Sequence, residues 1–215
     1  MMQQVGSLLS STGGAQRVGQ DEVGVPASAT RPCDNPFRAQ RLDALRYVED
    51  GVVLDEVIAK LRRKGYRGAL VGPHGTGKTT LLREVGDRLI GDGLSPMPLF
   101  MNSEDRGRLP RHWRSAVRMA GHGDALLLDG YDLLPRWARV WVLHASRGAS
   151  AVVVTSHRRS VLKTVAKTAS SPAMLRRLVA ELTDEYAAGS VDCEALWQQH
   201  HGNLRDALRE LYDRQ

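Results

Sequence analysis

The feature that most constrains the fold is a glycine-rich segment, residues 72–80, which reads Gly-Pro-His-Gly-Thr-Gly-Lys-Thr-Thr. It fits the pattern G-x-x-x-x-G-K-[ST], in which backbone N–H groups surround a phosphate. The short apolar run 68–71 precedes it, and apolar residues at helical spacing follow it from Leu81 to Ile90. Strand, glycine loop and helix is the context that the pattern requires. The segment therefore predicts a phosphate-binding loop within a parallel α/β unit.

Each position of this loop has an expected role. We expect its three glycines to adopt positive φ, so that the backbone can wrap closely around an anion. Lys78 would bridge the β- and γ-phosphates of a nucleotide, and the Thr79 hydroxyl would be a ligand of Mg²⁺. His74 would be a permissive position that points to solvent. The predicted phosphate-binding residues are Gly72, Pro73, His74, Gly75, Thr76, Gly77, Lys78, Thr79 and Thr80.

Length, charge and cysteine content limit the class of protein to which this chain can belong. With 215 residues, 42% hydrophobic and 25% charged, the chain is long enough for one domain and a small appendage. The net charge of +6 permits a polyanionic partner, although many arginines lie on predicted helix faces. Cys33 and Cys193 form no metal or redox spacing, which favours reduced thiols and a cytoplasmic location. No apolar run approaches transmembrane length, so we expect no membrane partner.

Hydrophobic periodicity divides the chain into three parts. Residues 1–34 are rich in Gly, Ser and Gln without sustained periodicity, and we expect them to form a disordered tail. Strands alternate with helices over residues 35–168, and only helices are predicted over residues 169–215. The expected fold is an α/β three-layer core with a parallel sheet, followed by a small all-helical segment. The predicted strands cover residues 68–71, 97–101, 125–128, 149–154 and, more weakly, 162–166.

Proline, serine and asparagine mark the expected helix starts. Pro110 begins a helix in the core, and Pro135 begins another whose apolar stripe is Trp137, Val140 and Trp141. A further helix of the core is expected between residues 50 and 64, before the loop. The pair Ser171-Pro172 begins the first of three C-terminal helices. Asn203 with Asp206 resembles a capping pair for the last one.

A second part of the site is predicted at Asp129, directly after the apolar run 125–128. Such a run is expected of a strand that is buried on both faces. A carboxylate at its end, with one strand and one helix between it and the loop, is suited to hold Mg²⁺ beside Thr79. The chain lacks the Asn-Lys-x-Asp pattern that recognises guanine. Adenine is therefore the expected base, and ATP with Mg²⁺ the expected ligand.

Four segments together resemble the motifs of AAA+-type P-loop ATPases with a helical lid. They are residues 72–79, 126–129, 152–156 and the Gly-Asn-Leu-Arg of 202–205. Asp129-Gly-Tyr-Asp132 is also similar to the Asp-Gly-x-Asp of the related STAND signalling NTPases. The extra strand predicted between the loop and Asp129 is typical of one class of P-loop ATPases. The resemblance covers roughly residues 35–215 and implies that Mg·ATP binds between the core and a lid, with hydrolysis coupled to lid movement.

The resemblance also implies roles for residues outside the loop. Thr155 or Ser156 would occupy the position where a polar side chain touches the γ-phosphate or the attacking water. Arg205 would report the γ-phosphate across the gap between core and lid. Arg158 and Arg159 are candidates for an arginine finger that reaches a neighbouring subunit.

The sequence departs from the family pattern at Gly130. AAA+ proteins usually carry a Glu directly after the strand-end Asp, where it orients the attacking water. Asp132 and Glu104 are the alternative candidates, and it stays open whether either serves. STAND proteins usually add a second acid after the last Asp, but Leu133 stands there. The predicted catalytic residues are Lys78, Asp129, Asp132, Glu104, Thr155 and Arg205.

Several functions stay open at this point. The first is an ATPase, and the second is a nucleotide-switched binding module with little hydrolysis. The third is a nucleic-acid-dependent ATPase similar to clamp loaders or replication-origin proteins, although no helix-turn-helix, stacking platform or zinc module is recognisable. A transfer enzyme that acts on a small molecule is a fourth, although nothing in the sequence resembles an acceptor site. Another protein or a second copy of the chain is the expected partner.

Overall fold

The computed structural model describes residues 35–37, 41, 53–101, 103–183 and 190–214, all within one compact unit, Arg31–Gln215. The predicted tail over residues 1–34 and the start of the predicted helix near residue 50 lie outside the described residues. Three short 3-10 helices cover Ser103–Asp105, Tyr131–Leu133 and Ser146–Gly148. The other elements are α1 (Leu54–Arg63), β1 (Arg67–Val71), α2 (Lys78–Gly91), β2 (Ser95–Phe100), α3 (Arg111–Met119), β3 (Asp124–Asp129), α4 (Arg136–Ala145), β4 (Ala151–Ser156), β5 (Thr164–Lys167), α5 (Pro172–Leu182), α6 (Cys193–Gln199) and α7 (Leu204–Asp213).

The five strands form one parallel sheet in the order β2-β3-β4-β1-β5, which confirms the predicted α/β class. Val71 at the end of β1 pairs with Ser156 at the end of β4, and Leu128 of β3 pairs with Val154 of β4. The carboxyl ends of β1, β3 and β4 therefore meet at one edge of the sheet, where open α/β sheets bind their ligands. β2, which comes before β3 in the chain, lies at the border of the sheet. β4 lies between β1 and β3.

Apolar side chains cover both faces of the sheet. Along β3, Leu127 packs in the cluster formed with α1 and α2, whereas Leu126 and Leu128 pack in the cluster formed with α3 and α4. This alternation follows from the two-residue period of a strand. Trp113 and Val117 of α3 are fully buried in the second of these clusters. The core is thus a three-layer arrangement that holds the strand ends rigidly in place.

The border strand β2 protects its open side with two prolines. Ser95 and Met101 donate their N–H groups to the carbonyl oxygens of Gly123 and Asp129, on the side of β3. Because successive N–H groups of a strand point in opposite directions, those of the even-numbered residues of β2 point away from the sheet. Pro96 and Pro98 occupy such positions and have no N–H to offer. Because an incoming strand would find no donor there, the prolines disfavour edge-to-edge association.

The stripe predicted for the helix after Pro135 is confirmed at Trp141, which is partly buried against the core, and is wrong at its other two positions. Trp137 and Val140 of α4 are 60% and 66% exposed, whereas Ala138 and Val142 are fully buried. The helix carries apolar residues on more than one side. Periodicity alone therefore assigned its larger side chains to the buried face. The small side chain of Ala138 instead lets α4 approach the sheet closely.

The three C-terminal helices have a hydrophobic core of their own, formed largely by α5, α6 and α7 together with Phe37. Two predicted caps are confirmed: Ser171 Oγ accepts from Met174 N at 3.2 Å, and the Asn203 side chain accepts from the N–H groups of Arg205 and Asp206. The described C-terminal helices cover residues 172–182, 193–199 and 204–213, and the stretch 184–189 is not described.

Two further predictions concern membranes and thiols. No helix within the described ranges is both long and apolar enough to cross a bilayer. Cys193 is a free, buried thiol, and burial raises its pKa. Cys33 lies outside the described residues.

Candidate functional site

The glycine loop connects β1 to α2, as predicted, but its glycines serve two different purposes. Gly75 and Gly77 have φ of +67° and +80°, which only glycine adopts easily. Gly72 is not in that conformation, so the expectation of positive φ is wrong there. A Cβ on Gly72 would lie 2.2 Å from the Thr168 hydroxyl and 2.4 Å from the Thr168 carbonyl oxygen. Glycine is required at this position because the chain after β5 passes directly against it.

Lys78 is the first residue of α2 and lies inside the loop. Its side chain is 8% exposed, and its ammonium donates to the carbonyl oxygen of Pro73. Burial lowers the pKa of Lys78 to about 8; Asp129 and Asp132 oppose this shift, and the positive charge of Arg205 adds to it. A desolvated ammonium therefore stands beside the N–H groups of a helix N-terminus, where an anion is favoured.

Asp129 at the end of β3 connects the loop to β4. The Thr79 hydroxyl donates to Asp129 Oδ2 at 2.7 Å, and the Thr155 hydroxyl donates to Asp129 Oδ1 at 2.5 Å. Thr155 also accepts from the N–H of Gly130 at 2.8 Å and is 1% exposed. A hydroxyl has a single hydrogen to donate, and Thr155 gives it to Asp129. In this arrangement Thr155 orients the carboxylate.

Thr79 and Asp129 supply the kind of ligand that Mg²⁺ requires. Both offer hard oxygen atoms, and their 2.7 Å contact brings those atoms to one point at the mouth of the loop. Over the described part of the chain there is no cluster of three or more His, Cys, Asp or Glu side chains that could hold a metal alone. The pair therefore fits a Mg²⁺ whose remaining ligands come from phosphates and water, which is how Mg²⁺ is commonly bound.

The position after Asp129 requires glycine. Gly130 has a φ of +76°, and a Cβ there would lie 2.9 Å from the Cβ of Met101. A glutamate at this position would be strained by the backbone and would clash with the chain that leaves β2. The backbone and its neighbours therefore leave no room for an acidic side chain at position 130.

Asp132 lies on the 3-10 helix after Gly130 and is held by His157. Its Oδ2 accepts from the His157 backbone N–H at 3.1 Å and lies 2.8 Å from Nδ1 of the His157 ring. Burial raises the pKa of Asp132, but these hydrogen bonds outweigh it and hold the pKa below its usual value. The other oxygen, Oδ1, is buried and accepts no hydrogen bond within the described structure. An ionised carboxylate with one free, buried oxygen is expected to have a donor nearby, such as water.

His74 of the loop is exposed, as predicted, but it has a neighbour. Its ring stacks on the ring of His157 with centroids 3.6 Å apart. Desolvation lowers the pKa of His74, and the nearby charges of His157 and Lys78 lower it further. The pair links the glycine loop to the segment that follows β4.

The other predicted residues lie farther from this centre. Glu104 is exposed on the first 3-10 helix, and no hydrogen bond or ion pair joins it to the described loop residues. The Ser156 hydroxyl donates to the carbonyl oxygen of Arg158 at 2.7 Å and so closes the turn after β4. Arg158 and Arg159 are exposed beyond that turn. Glu104 is thus a weaker candidate for the water-orienting acid than Asp132.

The start of α7 lies directly on the loop. The Asn203 side chain occupies the space where a Cβ of Gly75 would be, with Oδ1 only 1.8 Å from that position. Thr76 lies 2.7 Å from the Thr168 hydroxyl, oxygen to oxygen, beyond β5. Arg205 is exposed in the first turn of α7 and close enough for its charge to act on Lys78. The helical segment and the glycine loop are therefore in contact.

Sequence reasoning missed three residues of this site: His157, Thr168 and Asn203. His157 and Thr168 each follow a strand of the parallel sheet, so the rule that strand ends meet at one edge could have identified them. Asn203 was assigned only as a helix cap. Nothing in its local sequence signals that its side chain also packs against Gly75.

Comparison of the chain with protein-family models, with curated proteins and with solved structures found no match.

Proposed function

We propose that this protein binds Mg·ATP in the loop of residues 72–80 and hydrolyses it, as a cytoplasmic ATPase that resembles the AAA+ type. The proposal depends above all on one observation. The buried ammonium of Lys78, the Thr79 hydroxyl and the Asp129 carboxylate converge at the N-terminus of α2. These are a cation for phosphate, two oxygen ligands for Mg²⁺ and a set of unpaired helix N–H groups.

The role of each group follows from its chemistry. Lys78 exchanges its hydrogen bond to the Pro73 carbonyl for one to a phosphate oxygen, which is a stronger, charge-assisted contact. Thr79 and Asp129 would hold Mg²⁺, which when bound neutralises charge on the phosphates. Thr155 keeps the Asp129 carboxylate in one orientation.

Asp132 is the group best suited to orient the attacking water. Its Oδ1 is a buried acceptor without a partner in the described structure, and leaving such an oxygen unsatisfied costs roughly 1–3 kcal/mol. A water that donates to Oδ1 would remove this cost. His157 fixes the carboxylate through two hydrogen bonds, so the free oxygen keeps a defined direction. The acid that Gly130 excludes is thereby supplied two residues later.

We expect Asp132→Asn to slow single-turnover hydrolysis of bound ATP by about 100-fold or more, the usual contribution of a positioned acid or base. Glu104→Gln is the matched control and should leave the rate within about twofold, because Glu104 is exposed and unconnected to the loop. Rapid mixing of excess protein with radiolabelled ATP measures both rates. A larger loss in Glu104→Gln than in Asp132→Asn would reverse the assignment.

Gly130 also favours a second candidate, a nucleotide-switched binding module with negligible hydrolysis. The same experiment separates the two, because wild-type protein that binds ATP but shows no turnover would support the switch. In either case only contacts that differ between nucleotide states can shift the structure. The contact of Asn203 with Gly75, and the charge of Arg205 near Lys78, are the described features through which α7 could sense the loop.

Nucleotide affinity should depend on pH through Lys78. Its pKa of about 8 in the free protein must rise when phosphates bind, since they favour the charged ammonium. Above pH 8 binding therefore requires uptake of a proton, and affinity should fall by up to about tenfold per pH unit. Calorimetric titration with Mg·ATP from about pH 7.5 to 9.5 measures this dependence.

The control for this dependence is Lys78→Arg, whose side chain stays charged throughout that range. Its affinity, whatever its absolute value, should be nearly independent of pH. A wild-type affinity that stays flat up to about pH 9.5 would show that Lys78 retains an ordinary lysine pKa.

A further inference from the structure

A cavity of about 440 Å³ lies beside the phosphate loop. Its walls come from four places: the turn after β4, the 3-10 segment that carries Asp132 together with α4, the loop after β2, and the glycine loop. A volume of this size suits a small molecule. The lining includes His74, Asp132, His157 and four arginines: Arg106, Arg139, Arg158 and Arg159.

The cavity is distinct from the phosphate loop. Of the loop residues, only His74 contributes to its lining, whereas Lys78 and Thr79 do not. The stacked rings of His74 and His157 belong to the cavity lining. Because Lys78 and Thr79 lie outside that lining, we expect phosphates held at Lys78 to leave the cavity free.

Positive charge dominates the cavity, and its one carboxylate does not neutralise it. Asp132 already accepts two hydrogen bonds from His157. Arg139 is held in place by the hydrogen bond from its Nε to the carbonyl oxygen of Leu134 at 2.8 Å. That bond uses only Nε, so the terminal amino groups of Arg139 are the ones left for a ligand. The guanidinium groups come from separate segments, and an anion placed among them would relieve their mutual repulsion.

We propose that this cavity is a second anion site, which binds the phosphate or carboxylate group of a small molecule while nucleotide occupies the loop. Arginine suits this role because its planar fork matches both oxyanions and it stays charged. The inference rests on the proposed function for its nucleotide, but the site itself is formed by residues outside the predicted nucleotide site, apart from His74 of the loop and Asp132, the acid proposed to orient water.

The test uses inorganic phosphate as the probe and the full chain saturated with Mg²⁺ and a non-hydrolysable ATP analogue. Backbone amide NMR signals of residues 157–159 should shift saturably with phosphate at constant ionic strength. Replacing both Arg158 and Arg159 with alanine should weaken this binding by about tenfold or more. Arg106→Ala, on a different wall, is the second variant and should also weaken it. Arg63→Ala, exposed at the end of α1, is the control and should change nothing.

Two results would overturn the inference. One is phosphate that competes with the analogue and never binds alongside it, since the cavity would then be only the space of the γ-phosphate. The other is binding that is unchanged in the arginine variants. Failure of the analogue to bind would count against the proposed function alone, because the same phosphate titration can be run on Lys78→Ala protein without nucleotide. A parallel series with citrate distinguishes a phosphate from a carboxylate preference.

Discussion

Replacing Lys78 with alanine is expected to weaken Mg·ATP binding by about 10- to 100-fold. A charge-assisted hydrogen bond contributes roughly 1.5–3 kcal/mol, and here the ammonium is desolvated, so water does not screen its attraction to phosphate. The free protein should not lose stability in the variant. Its folded state lowers the pKa of Lys78, which means that folding disfavours the charged side chain.

Calorimetric titration measures the affinity, and urea unfolding measures the stability. The matched control is Lys60→Ala, a lysine of α1 that pairs with Glu56 on the surface. It should leave both quantities nearly unchanged, because exposed pairs contribute little. Wild-type affinity in Lys78→Ala would remove the loop as the ATP site. Global destabilisation in that variant would instead assign Lys78 a structural role.

Replacing Gly75 with alanine should lower the free energy of unfolding by about 2–3 kcal/mol. A residue other than glycine in the left-handed conformation costs roughly 1–2 kcal/mol, and Gly75 has a φ of +67°. The added methyl group also meets the Asn203 side chain, which must rotate away and leave its capping position at a cost of about 1 kcal/mol. The same change would separate α7 from the loop.

Gly93 offers the matched control because its φ is +79° and a Cβ there meets nothing within 4 Å. Gly93→Ala should therefore show the backbone cost alone. In an Asn203→Ala background, the cost of Gly75→Ala should fall toward that of Gly93→Ala, since the clash with the side-chain oxygen and Cγ is gone and only the 3.1 Å approach to the Asn203 Cα remains. Equal costs for the two glycine variants in the wild-type background would mean that the contact between the loop and α7 contributes nothing.

The sequence was sufficient to predict the features that depend on a few neighbouring residues. The glycine loop, the buried strand that ends in Asp129 and the cap at Asn203 each carry their signal within a few residues. Patterns failed where packing decides. The large side chains of α4 suggested an inward stripe, yet the small Ala138 is the residue that faces the sheet. Glycine at position 72 was explained by φ, but the space taken by Thr168 is the reason.

The residues proposed to bind phosphate could be predicted from the sequence. The residue proposed to orient water could not be chosen from the sequence alone. Gly130 signalled that the usual acid is missing, but the strain and the Met101 contact that exclude it are visible only in three dimensions. Asp132 was one of two candidates. What distinguishes it from Glu104 is its pairing with His157, 25 residues away in the chain, and a buried free oxygen. Such long-range pairs depend on sheet order, which one sequence does not specify.

The most direct test of the central claim is amide hydrogen exchange of the whole chain with and without saturating Mg·ATP. We predict slower exchange in the loop of residues 72–80 and the first turn of α2, because phosphate oxygens would accept hydrogen bonds from those N–H groups. The same protection should require about 10- to 100-fold more nucleotide in Lys78→Ala protein, in line with its weaker binding. Unchanged exchange in this loop, or protection confined to another part of the chain, would contradict the account.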